Sequence, residues 1–390
     1  MILTNKQEQG LKIAVERYRN HEPYTCIAGY AGVGKSTLIR FIISALNLDP
    51  DNVCYIAYTG KAAQVLRRKN CPNAMTAHKL LYKTIRKKDG SFVHLPHDII
   101  YPYDLIVVDE ISMLPKSMWE LLLSHHIPVI ALGDPGQLPP VGAESCNVLS
   151  NPHVFLDEVM RQAEESEIIR LTMDIRDQKP LNLMRGKEVR IVDREEVLQP
   201  GFFTWADQII CGRNNTRHDV NQTIRNLTLG VDRLDTEPIV GDKLICLHNE
   251  WQTVNDTGDA LVNGATGTLS KLIYTRNNPF MNKTPIINFQ PDWDDAGSFN
   301  DLMIDYQLLT THEPLIHTAN NNYSRIPKIW HPKQFDYGYA ITCHKSQGSE
   351  YDKVIVLEEY MKGDNAESHA RWLYTAATRA AQKLIIVRQY

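Results

Sequence analysis

The sequence predicts an α/β fold with two parallel sheets, on three observations. Short, wholly apolar strand-like runs, YTCIA (24–28), VCYIAY (53–58), DLIVVD (104–109) and IPVIAL (127–132), alternate with helical stretches. Strands without a polar face belong to sheets covered on both sides. The alternation restarts at DQIIC (207–211), continues through a helix over 213–227, and ends in KVIVL (353–357) and KLIIV (383–387). Finally, 390 residues exceed what one ordinary domain holds.

Each element has a local reason. Thr4-x-x-Gln7 ahead of an apolar-periodic run is a capping box, opening a helix to about residue 19. After the strand at 24–28 come a glycine-rich turn and a helix carrying Leu38, Phe41, Ile42 and Leu46. Between the halves of the second unit, residues 236–332 change character. There GDKLICL, NGATGTLSKLIY, TPIINF and LMIDYQLLT are broken by Gly, Asn, Asp and Pro. Short strands with turn clusters predict a small inserted β-barrel. A smaller insertion is expected at 82–96, YKTIRKKDGSFVHLP, where Asp89-Gly90 can turn a hairpin. The expected organisation is a first lobe over 1–150 that includes the hairpin, a second lobe over 151–235 and 333–390, and the barrel over 236–332.

With 43% hydrophobic and 23% charged residues, the composition excludes disordered, collagen-like and membrane classes. No run approaches the roughly 18 apolar residues of a span, and MILTNKQEQG lacks an apolar signal core. Seven scattered cysteines without a CxxC pair read as reduced thiols of a cytoplasmic protein. The net charge of −4, taken as an average, argues against a nucleic-acid partner. Its distribution argues otherwise. Residues 61–90 set nine Lys or Arg against Asp89 alone, +8, which leaves −12 for the remainder. An acidic counterpart, 291–305, holds five Asp and no base. One surface should attract a polyanion and another repel it.

Residues 29–37, GYAGVGKST, fit G-x-x-x-x-G-K-[ST] between a strand and a helix, the context that marks a phosphate-binding loop. Gly29, Ala31, Gly32, Val33 and Gly34 bring backbone amides around phosphate oxygens, and the helix start adds its dipole. Lys35 supplies a point charge to the β- and γ-phosphates, and Ser36, followed by Thr37, a hard oxygen for Mg²⁺. Seventy residues on, Asp109-Glu110 ends an apolar strand. Asp109 is the candidate for holding the Mg²⁺ hydration shell, and Glu110 for polarising the attacking water. These parts predict hydrolysis of a nucleoside triphosphate.

Read in order, the motifs make the chain resemble the superfamily 1 helicases of the 1B branch, close to RecD and the phage Dda helicases. Gln7, in LTNKQEQ, matches the family's Q motif, whose amide reads the adenine edge. GYAGVGKST is similar to motif I, and YIAYTGKAA (55–63) to motif Ia, with Lys61 where an Arg is common. MTAHKLL (75–81) resembles motif Ib and DEISM motif II. ALGDPGQLPPVG (131–142) resembles motif III, which implies that Gln137 senses the γ-phosphate or its water. EVMRQ (158–162) and YTAATRA (374–380) resemble motifs IV and VI, which implies γ-phosphate contacts for Arg161 and Arg379. YAITCHKSQGSEYDKVIV (339–356) resembles motif V, with Gly348 and Glu350 near the nucleotide. Thr59, Lys61, Thr76, His78, Thr342, His344 and Lys345 would then face the DNA strand.

The resemblance implies two RecA-like P-loop lobes, an SH3-like barrel inserted in the second, and ATP and Mg²⁺ as cofactors. It implies a monomeric motor that travels 5′→3′ on single-stranded DNA and opens fork or duplex DNA. Lys35, Glu110, Gln137, Arg161 and Arg379 form the expected catalytic set. Phe92, just past the Asp89-Gly90 turn, is the expected strand-separating wedge, since an apolar ring can replace a lost stacking partner. Single-strand-binding or replisome proteins are the expected partners, in replication, recombination or repair. Two other readings use the same motifs: a translocase that displaces proteins without efficient unwinding, and a nucleotide-gated DNA-binding subunit without hydrolysis. Intact Lys35, Asp109, Glu110, Gln137, Arg161 and Arg379 argue against the second.

Overall fold

Thr4 caps helix α1 (Asn5–Arg19): its hydroxyl accepts from the Gln7 N–H, and the Gln7 side chain accepts from the Thr4 N–H. The chain then alternates through β1 (Tyr24–Gly29), α2 (Lys35–Ala45), β2 (Val53–Ala57), α3 (Gly60–Arg68), β3 (Ala74–Thr76) and α4 (Ala77–Leu81). It continues through β4 (Leu105–Val108), α5 (Lys116–Leu123), β5 (Val129–Gly133) and β6 (Val154–Leu156). This computed structural model describes residues 3–71, 73–86, 92–98, 103–139, 146–159, 165–199, 201–257, 260–275, 284–293, 296–313 and 331–388. It divides into two compact units, one of Met1–Lys83, Leu95–Glu196 and Ser346–Tyr390, the other of Thr84–His94 and Val197–Lys345.

In the first unit, six strands form a parallel sheet in the order β3-β2-β4-β5-β1-β6. Its two faces explain the unbroken apolar runs. Leu105, Val107, Ile130 and Leu132 pack with Leu38, Ile39 and Ile42 of α2 on one side. Ile106, Val108, Val129 and Ala131 pack with Trp119 and Leu122 of α5 on the other. Because all six strands run the same way, the loops after Gly29, Val108 and Gly133 leave from one edge. The same unit also contains α6 (Glu167–Arg176), β7 (Met184–Arg185), β8 (Val189–Asp193), β9 (Tyr351–Leu357), α7 (Ala366–Ala377) and β10 (Ala380–Arg388). There β10 lies between β9 and β8, parallel to both, and β7 adds antiparallel to β8.

In the second unit, Gln208–Cys211 pairs in parallel with Ala340–Thr342. Five antiparallel strands follow the order Phe299–Met303, Thr284–Pro291, Thr266–Thr275, Lys243–Cys246 and Phe335–Tyr337. They bury Leu244, Phe289, Phe299, Phe335 and Tyr337. Tyr82–Arg86 and Phe92–Pro96 pair as a two-stranded sheet. The turn residues Asp89 and Gly90 lie outside the described residues, as does the Phe92 side chain.

Among the described residues no helix is long and apolar enough to cross a membrane. All seven cysteines are free thiols, and burial pushes Cys26, Cys54 and Cys246 up to about 12, which makes them poor nucleophiles. Leu38 is fully buried on the α2 face that packs against the sheet. Leu38→Ala should therefore cost about 2–5 kcal/mol of stability, read as a lower denaturant midpoint at unchanged slope.

Candidate active site

The site begins where β1 stops. Gly32 and Gly34 adopt φ of 76° and 77°, left-handed values that a side chain resists, and Gly34 leads directly into α2. The Lys35 ammonium donates to the Gly29 carbonyl at 2.7 Å and the Tyr30 carbonyl at 3.0 Å. An ammonium has three hydrogens, so two fix it over its own loop and the third remains for a phosphate oxygen. Gln7 braces this loop from α1. Its Nε2 donates to the Val33 carbonyl at 2.9 Å, while its Oε1 serves the cap of α1. At 1% exposure, its amide is engaged with protein on both ends. A bidentate pairing with adenine would need those bonds to rearrange.

Asp109 and Glu110 leave the end of β4. Burial pushes the Asp109 carboxyl above the usual range, the neighbouring Glu110 adds to this, and Lys35 opposes it. Ser36 and Asp109 line one cavity of about 630 Å³ beneath α2. A hydroxyl and a carboxylate are the oxygen donors a hard divalent cation takes, so these residues fit Mg²⁺. Glu110 sits at φ 50°, a strained value for a side-chain-bearing residue, and such strain concentrates at functional positions. Its Oε1 accepts from Arg379 Nη1 at 3.3 Å. Its Oε2 is buried without a hydrogen-bond partner among the described residues. A buried carboxylate oxygen left unsatisfied is suited to a water or phosphate that arrives later.

Arg379, 5% exposed, follows α7. Besides Glu110 it donates to the carbonyls of Thr375 at 3.1 Å and Ser349 at 3.2 Å, so its fork is held on three sides. Arg161 lies outside the described residues. Gln137 is half-buried; it lines a cavity of about 320 Å³ with Asp134, Ser112 and Arg371. Gly348, at φ 72°, lies against the start of α3, where a methyl group would come 3.0 Å from Ala62 Cβ and 3.1 Å from the Thr59 hydroxyl. The Glu350 carboxylate is held by Lys69 at 2.5 Å.

The residues expected on the DNA strand have partners of their own. Thr59 and Thr76 cap α3 and α4, accepting from the N–H groups of Ala62 and Lys79. Thr76 is buried, and His78 lies between the rings of Tyr58 and Tyr82. The Lys61 ammonium sits 4.1 Å above the Tyr351 ring. Of the basic stretch, Lys69 pairs with Glu350 and Lys83 with Asp98, while Arg67 and Arg68 are exposed. In the second unit Thr342 is half-buried and His344 exposed. The Lys345 amine falls to about 8, through burial first and then the Arg217 guanidinium, with Asp336 opposing. His218, His312 and Asp336 bring potential ligand atoms within 4.8 Å. The two imidazoles, however, stack at 3.2 Å, so their in-plane lone pairs run side by side instead of converging. Arg217 also occupies both Asp336, at 2.8 Å, and His218, at 3.2 Å. That arrangement does not suit a cation.

Several residues of the site carried no assigned role in the sequence. Asp134, 5% exposed, accepts from the Gly136 N–H at 2.8 Å and the Tyr374 hydroxyl at 2.7 Å. Thr375 accepts from the Leu138 N–H, and Gln347 donates to the Leu138 carbonyl, each at 2.8 Å. All lie inside quoted motifs; their pairing was the hidden part.

A family model described as an AAA domain matches residues 3–196, and one described as a UvrD-like helicase C-terminal domain matches 337–387. The chain is 28% identical to the uncharacterized protein MJ1519 of Methanocaldococcus jannaschii, over 93% of this chain and 36% of that one. It is 26% identical to the ATP-dependent RecD2 DNA helicase of Deinococcus radiodurans, over 92% of this chain and 46% of that one. It is also 26% identical to the ATP-dependent DNA helicase dda of phage T4, over 45% and 41%. The chain thus spans less than half the length of each of these three relatives. Its fold is similar to that of the Bacteroides Pif1 helicase solved with ADP-AlF3 and single-stranded DNA. That match has a TM-score of 0.54 and 18% identity, covering 99% of this chain and 92% of that one.

The close approach at Gly348 generates a prediction. Gly348→Ala combines a left-handed backbone penalty of about 1–2 kcal/mol with the contact on Ala62. It should lower the denaturation midpoint, whereas Gly363→Ala, whose Cβ would meet open space, carries the backbone penalty alone.

Proposed function

We propose that this chain, which belongs to the superfamily 1B helicases of the RecD, Dda and Pif1 kind, hydrolyses ATP to move 5′→3′ along single-stranded DNA and open the duplex ahead. The observation that carries the reading is the Glu110–Arg379 contact at the mouth of the phosphate loop. It joins a base with one unsatisfied oxygen to a guanidinium that can stabilise a transferring phosphoryl group.

In this reading the loop amides and the third Lys35 hydrogen receive the β- and γ-phosphates. Ser36 and Asp109 would hold Mg²⁺, which when bound neutralises charge on those phosphates. Glu110 accepts the proton of the attacking water through Oε2, which has no hydrogen-bond partner among the described residues. Arg379 shares its fork between Glu110 and the γ-phosphate; a finger of this kind contributes about 10³–10⁵ in rate. Arg161 is assigned as the second finger and Gln137 as the sensor of the γ-phosphate. Loss of that phosphate leaves Glu110 as the anionic partner of Arg379. The segments that carry Tyr374, Thr375 and Gln347 grip Asp134 and Leu138, so the exchange is felt there.

We read 1–150 and 151–235 with 333–390 as RecA-like lobes, and 236–332 as an SH3-like barrel. Thr59, Lys61, Thr76, His78, Thr342, His344 and Lys345 are assigned to the strand, with Phe92 on the hairpin as the wedge. Phosphate contacts of this kind track a strand without regard to sequence and weaken with salt.

Strand displacement on forks with only a 5′ tail or only a 3′ tail tests the reading. Displacement from the 5′-tailed fork alone, with ATP and not with Lys35→Ala, is expected. Displacement from the 3′-tailed fork alone would overturn the polarity, and DNA-stimulated ATPase without displacement would overturn the unwinding. Phe92→Ala is expected to retain DNA-stimulated ATPase and lose displacement; equal losses of both would remove Phe92 from the role.

A further inference from the structure

Tyr374 does more than fill the core. It is 2% exposed on α7, five residues before Arg379. Its hydroxyl touches two parts of the nucleotide site at once: the Ala31 N–H of the phosphate loop, at 2.9 Å, and Asp134 Oδ2, at 2.7 Å. A phenol has a single hydrogen, so the directions are fixed. It accepts from the amide and donates to the carboxylate. Asp134 completes its own set with the Gly136 N–H, and the next helix residue, Thr375, accepts from the Leu138 N–H. Adjacent residues of one helix thus clamp both ends of the Asp134–Leu138 turn and, through Ala31, the loop that holds Lys35.

We propose that Tyr374 is a positioning residue for ATP hydrolysis: its hydroxyl ties α7 to Ala31 and Asp134, and thereby sets where Arg379 stands relative to Lys35 and Glu110. α7 carries the chain from Tyr374 to Ala377 at about 1.5 Å per residue, and Arg379 follows two residues later. A displacement near 1 Å at a reacting group costs on the order of 10² in rate, so a tie this near in the chain governs the finger. Asp134 supports the same conclusion. Burial raises its carboxyl pKa, while Lys35, the Tyr374 hydroxyl, the Gly136 N–H and Arg379 all favour the ionised acceptor. Arg371, lining the same cavity, adds a further cation on that side. Without the phenol's hydrogen the carboxylate would lose the side-chain donor that α7 gives it.

The inference rests on the ATPase reading, and its test keeps the two apart. Tyr374→Phe preserves the ring and removes only the oxygen. With saturating single-stranded DNA, the variant should lose about tenfold in kcat, the equivalent of one good hydrogen bond. Its KM for ATP should stay within about threefold, because only the Ala31 N–H loses a partner while Lys35 and the other loop amides keep theirs. Asp134→Ala should lose a similar factor, and the double variant no more than the worse single one. A Tyr374→Phe kcat within twofold of wild type, a KM that rises as far as kcat falls, or multiplicative losses in the double variant would each overturn the proposal. Absence of turnover in the wild-type chain would instead overturn the ATPase reading itself.

Discussion

Charge buried at one edge of an apolar sheet is the constraint on which the rest of the first unit depends. Six parallel strands covered on both faces send their loops out at a common edge, and that edge carries Asp109, Glu110 and Asp134. Carboxylates shielded from water stay ionised only beside cations or donors. Lys35 faces Asp109 and Asp134, Arg379 holds Glu110, and Tyr374 holds Asp134. Two of those three partners come from residues 346–390, more than two hundred positions further on. The packing of that segment against the phosphate loop is therefore an electrostatic requirement as much as a hydrophobic one.

The second consequence is preorganisation. Lys35 is already anchored by two carbonyls of its own loop, and Gln7 fastens that loop to the capped start of α1. Little has to be ordered when a phosphate arrives, so little binding energy is lost to ordering. Glu110 Oε2 is buried without a hydrogen-bond partner among the described residues, beside the Arg379 guanidinium.

Much of this was legible in the residue order. The capping box, the glycine turn into α2, the apolar strands and the strand-end Asp109-Glu110 each follow from spacing and side-chain type, because they depend on neighbours a few residues away. Partner choice was not legible. Glu350, expected near the nucleotide, also pairs with Lys69, and Lys61, expected on the strand, also lies over Tyr351. Thr59 and Thr76, read as strand contacts, serve as helix caps, for which Thr ahead of a helical run is a sufficient local signal. Tyr374 and Asp134 stood inside recognisable motifs without a role, because the two partners are 240 positions apart in the chain.

By itself the sequence determined the two parallel sheets, the phosphate loop with its lysine, and the acidic pair at a strand end. All three are written in local periodicity, in glycine's conformational freedom and in short fixed spacings. Only the tertiary structure decided which of the candidate groups meet: that Arg379 grips Glu110, that Tyr374 spans Ala31 and Asp134, and that Gln7 is committed to its cap and loop. Those are choices among many chemically equivalent donors and acceptors. They are settled by which atoms the packed helices bring within about 3 Å of one another, a distance that separation along the chain does not encode.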